Sequence, residues 1–152
     1  MKLGQEMFAI KLYELEQQYG RMQSRLRLCQ QEDHARIRQE LEKAMDEYKE
    51  SELLLQKNVE GSRSPAITAL SNAQLEYCRT VGKILEQKLP GYLHSEVSTS
   101  SDDKAEAAAL YAEYAIDFAV QSTRYALIAA LKAIDLQMSA EKQKEETKDE
   151  EK

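Results

Sequence analysis

The chain has 152 residues, 42% hydrophobic and 32% charged, with only five glycines and two prolines. So few turn formers exclude a strand-rich fold and leave one domain-sized helical body. A formal charge of −6 speaks against a general nucleic-acid binder, because phosphate is neutralised by a basic surface.

The first predicted helix covers residues 3–30. Phe8, Leu12, Leu15, Tyr19, Met22, Leu26 and Cys29 step by alternating fours and threes, the seam of a helical bundle or coiled coil. The opening stretch MKLGQEMFAIKLYELEQQYG lacks the continuous apolar run of a secretion signal. With two cysteines and no such signal, free thiols and a cytoplasmic location are expected.

The seam fades at LRLCQQEDHARIRQEL, where Arg21, Arg25, Arg27, Arg36 and Arg38 gather. Cys29 to Ile37 is one residue more than a heptad, so an unbroken helix would need a phase shift there. A turn near Gln31–Asp33, with Asp33 as N-cap, is the preferred reading. It gives three helices of about 25 to 29 residues, roughly 37–44 Å each. The alternative fuses helices 1 and 2 into one rod of about 90 Å, which an intertwined dimer would have to cover.

The second helix repeats the seam over residues 34–60 with Ile37, Leu41, Ala44, Tyr48, Leu55 and Val59, interrupted at Ser51. VEGSRSPAI ends it. Gly61 suits a left-handed helix end, Ser64 an N-cap and Pro65 the first position of helix 3. Helix 3 carries Ile67, Leu70, Tyr77, Val81 and Ile84 on one face and is expected to stop at Pro90-Gly91. Residues 92–101 form a polar loop. A serine there, or Asp102, caps helix 4, with Asp103 and Glu106 near its positive end.

Helix 4 is expected to run to about Ala140. Its eleven alanines between Ala105 and Ala133 make a thin body, and its polar residues fall on a stripe of Glu106, Glu113, Asp117, Gln121, Arg124, Lys132 and Asp135. A helix apolar around most of its girth is packed by neighbours, in one chain or across a dimer. Its charges argue against a membrane span. The expected fold is all-α, an antiparallel four-helix up-down bundle over residues 1–140. Residues 141–152, with no apolar side chain, read as a disordered tail or frayed helix end.

Candidate chemistry is thin. No Gly-rich phosphate loop, G-x-S-x-G, C-x-x-C or Glu-x-x-His occurs, so no catalytic residue, cofactor or metal site is assigned. Cys29, His34, Cys78 and His94 make a two-Cys, two-His set by count, but not by spacing. Glu113 and Asp117 share a helix face and read as part of a solvated stripe.

Two sets of side chains remain. Arg25, Arg27, His34, Arg36 and Arg38, with Tyr92, His94 and the start of helix 4, could gather at one bundle end and hold an anion, a nucleic-acid backbone or an acidic partner. The bland reading is a solvated end, its arginines paired with Glu32, Asp33 and Glu40. Tyr19, Tyr48 and Tyr77 sit near the midpoints of their helices and could form one layer with Tyr114 or Tyr125. That layer is either an aromatic core or the wall of a small ligand cavity. The functional expectation is a non-enzymatic interaction protein that self-associates, as a homodimer, or binds another protein. Anion or nucleic-acid binding at the arginine end and ligand binding at the tyrosine layer are the alternatives.

Overall fold

The computed structural model describes residues 3–151, with side chains from Glu6 onward. The fold is all-α, and no strand occurs among the described residues. Five α-helices follow in order: α1 (Leu3–Cys29), α2 (His34–Gly61), α3 (Pro65–Lys83), α4 (Leu89–Leu93) and α5 (Ser100–Glu150).

The chain breaks between α1 and α2, so the fused rod is not formed. The Glu32 N–H bonds the Cys29 carbonyl at 3.1 Å. Asp33 then caps α2, its carboxylate accepting the Arg36 N–H at 2.9 Å. A local acceptor for an otherwise orphaned donor is what lets a helix start here without glycine or proline.

Ser64 caps α3 as expected, with Pro65 in the first turn. Gly61 departs from expectation. Among the described residues no glycine has positive φ, and α2 ends on extended Ser62, whose N–H still reaches the Asn58 carbonyl at 3.2 Å. The Ser62 side chain occupies the link, accepting the Ser64 N–H at 3.1 Å. The extended Ser62 backbone N–H therefore serves the end of α2 without a left-handed glycine.

Pro90 and Gly91 do not stop the third helix. A π turn at Ile84–Lys88 joins α3 to α4, and the Leu89 N–H reaches back five residues to the Ile84 carbonyl. The slip moves Pro90 into the first turn of α4, where no N–H is required. The connection to α5 therefore shrinks to residues 94–99.

The cap of α5 is Thr99, neither a serine nor Asp102. Its hydroxyl accepts the Asp102 N–H at 3.1 Å, while the Asp102 carboxylate accepts the Thr99 N–H at 3.0 Å. This reciprocal pair is a capping box. At the other end α5 does not finish near Ala140 but continues to Glu150. Residues 141–150 are exposed throughout, and their glutamates, lysines and glutamine are strong helix formers.

Two compact units divide the chain. One holds Cys29–Tyr114; the other joins α1 up to Leu28 with α5 from Ala115 onward. In the first, α2 and α3 form an antiparallel hairpin across the three-residue link. Leu75 on α3 and Ala107 on α5 are its buried apolar residues, with Ser71 and Asp103 the buried polar ones. In the second, no described side chain is fully buried. There Tyr19 on α1 meets Thr123 on α5, oxygen to oxygen, at 2.9 Å.

Candidate functional site

In the unit of Cys29–Tyr114, tyrosines from three helices surround one thiol. Tyr48 comes from α2, Tyr77 and Cys78 from α3, Tyr111 and Tyr114 from α5. The Tyr48 phenol hydrogen-bonds Cys78, and that bond, with partial burial and the nearby Cys78 and Glu52 charges, pushes its pKa up to about 12. Burial also raises Tyr77, helped by Tyr114 and Tyr111, and raises Tyr111, helped by Cys78 and Tyr114. The Tyr111 and Tyr114 rings stand 6.4 Å apart, tilted by 34°.

All the shifts in this cluster favour the neutral phenol. Such groups are poor bases and poor nucleophiles at neutral pH. The residues of the expected layer are placed in two units. Tyr48 and Tyr77 are joined by Tyr114 and also by Tyr111, which its sequence position did not single out. Tyr19 belongs to the other unit with Thr123, and so does the exposed Tyr125. Beside the cluster a half-open cavity of about 340 Å³ is lined by Val81, Ile84, Leu89, Leu110, Tyr111 and Tyr114. The π turn shapes one side of it.

A second polar knot holds the start of α5. His94 Nδ1–H donates to Asp103 Oδ2 at 2.6 Å, and the Ser98 hydroxyl donates to Asp103 Oδ1 at 2.6 Å. Those two bonds, Ser98 first, hold the Asp103 carboxyl below the usual carboxylate range. The Thr99 N–H, then its hydroxyl, lowers Asp102 likewise. Serine, histidine and aspartate meet here without forming a nucleophilic triad. Ser98 gives its proton to the carboxylate, so no base activates its oxygen. The Thr99-x-x-Asp102 spacing was the signal for the cap. Nothing in the spacing marked the His94–Asp103 pair.

The arginine set is divided between the units. Arg25 and Arg27 lie on α1; His34, Arg36 and Arg38 open α2. Arg36 sits 3.7 Å from Glu40, a partly exposed helical ion pair worth a few tenths of a kcal/mol. Tyr92 and His94 also belong to the unit of Cys29–Tyr114, with His94 committed to Asp103. Glu113 and Asp117 are exposed. Cys29 and Cys78 are free thiols. Among the described residues, no group of three or more His, Cys, Asp or Glu is placed to hold a metal ion, and no helix is long and apolar enough to cross a membrane.

The seams of α2 and α5 leave apolar side chains open. On α2, Ile37, Leu41, Met45 and Tyr48 are between 43% and 57% exposed. On α5, the covered stripe runs through Ala115, Ala119, Thr123, Ala130 and Ile134. Its flank of Ile116, Val120, Leu127, Leu131 and Met138 remains open. Between that flank and α1 lies a groove of about 400 Å³ lined by Leu12, Tyr19, Val120, Thr123, Arg124 and Leu127. No protein-family model matches the chain, and no curated protein or solved structure is significantly similar to it.

Proposed function

We propose that this is a non-enzymatic helical interaction protein that completes its hydrophobic core by self-association. One observation carries the reading. Seam residues such as Leu41, Leu127 and Leu131 are each at least half exposed. Helices with apolar stripes are stable when those stripes are covered.

The titratable clusters support the non-enzymatic part. The tyrosines are held neutral, and both oxygens of Asp103 are committed to hydrogen bonds. The free thiols suit the reducing cytoplasm.

Sedimentation velocity from about 1 to 100 μM tests the proposal. The expected species has at least twice the 17.4 kDa chain mass, and its helical signal melts at higher temperature as the protein is concentrated. A well-folded monomer at every concentration overturns it.

A further inference from the structure

The geometry points to the groove between α1 and the second half of α5 as the seat of a second copy of this chain, whose own α1 and α5 complete an intermolecular four-helix bundle. This rests on the self-association just proposed and adds where it happens.

The first argument is architectural. Two helices cannot enclose a core, because each buries one stripe and leaves the rest in water. Here α1 and α5 meet at Tyr19 and Thr123. The groove between them is apolar along Leu12, Val120 and Leu127. A second such pair supplies the two missing walls, with the same alternating seam on its α1.

Area is the second argument. An obligate homodimer buries roughly 2,000–5,000 Å² counted over both chains. The open flank of Ile116, Val120, Leu127, Leu131 and Met138, 47–62% exposed, offers apolar surface for an interface of that kind. A lone partner helix would cover one groove and leave the other seams wet.

Charge selects the unit. The unit holding α1 and the second half of α5 has eleven basic and eleven acidic side chains, whereas Cys29–Tyr114 has ten basic and sixteen acidic. All of the chain's net charge of −6 therefore sits outside the proposed seat. Two neutral faces approach without net repulsion, while two acidic ones repel.

The test compares three proteins by sedimentation equilibrium. Wild type should be a dimer. The double variant Val120→Glu/Leu127→Glu should weaken dimerisation ~100-fold or more, because it buries unpaired carboxylates. Leu41→Glu, on the α2 seam, should change it less than ~10-fold. A double variant that dimerises like wild type while Leu41→Glu dissociates overturns the seat and leaves self-association standing. A monomeric wild type sinks the reading beneath it.

Should the double variant lose its helical signal, thiol cross-linking decides. In a Cys29→Ser/Cys78→Ser background, Thr123→Cys should yield a covalent dimer with a short bis-maleimide. No cross-link from Thr123→Cys, with efficient linkage from Met45→Cys, overturns the seat.

Discussion

Asp103, in the first turn of α5, binds His94 from the preceding loop at 2.6 Å through one carboxylate oxygen and Ser98 at 2.6 Å through the other. The side chain is buried and its charge is satisfied locally, so it anchors the loop to the helix start. Its carboxyl is held below the usual range, and the sign follows. The contribution is present above the unfolded value of about 3.9 and is lost as pH falls through the lower folded value. Asp103→Asn should lower the melting temperature at neutral pH and flatten the acid limb of stability against pH. A variant whose acid limb matches wild type would contradict the assignment.

Thr99→Ala removes one half of the capping box and leaves the Asp102 N–H without its acceptor. The expected loss is about 1 kcal/mol, read as a shift of the urea midpoint with an unchanged slope. Thr99→Ser should recover most of it, since the oxygen is what the cap needs.

Tyr48 predicts an alkaline signature. Its phenol is raised to about 12 by Cys78 and burial, above the ordinary value of 10. For an acid stabilised in its neutral form, that contribution is full below the unfolded value. It disappears between about 10 and 12. Absorbance titration near 295 nm should show a tyrosine ionising late, and Tyr48→Phe should remove that step. The hydrogen bond itself is worth ~1 kcal/mol or less, since the ring is half exposed.

Leu75 is 4% exposed, in the core of the unit of Cys29–Tyr114. Leu75→Ala should cost about 2–5 kcal/mol. Leu70→Ala, on the same helix but 74% exposed, should cost less than about 1 kcal/mol. Equal losses at the two positions would mean that this face of α3 is covered in solution.

Local chemistry made part of this fold legible. Asp33, Ser64 and Pro65 were readable as helix boundaries because a cap depends on residues three apart. The 4-3 steps of Phe8, Leu12 and Leu15 likewise set helix and face. Other features depended on competition between bonds. The π turn carries the helix through Pro90 because one wide turn costs less than a lost donor, and Ser62 does at residue 61 what glycine was expected to do. The tyrosine cluster was legible for Tyr48 and Tyr77, whose spacing about the α2–α3 link sets them on facing helices. Tyr111 was not, since a position on a long alanine-rich helix does not say which neighbour it meets. Nor does a seam say what covers it. Ile37 and Leu41 repeat the four-residue step of Phe8 and Leu12, yet only the latter pair is half-buried.

Only Leu75 and Ala107 are sealed from water among the apolar side chains described. Backbone hydrogen bonds shielded by so small a core open by local fluctuation rather than by global unfolding. Deuterium uptake should therefore be slowest around residues 71–78 of α3 and 103–111 of α5, and fast along α1 in dilute protein. If the proposed self-association covers α1, uptake there becomes a gauge of assembly, slowing as the sample is concentrated while the α3 amides hold their rate.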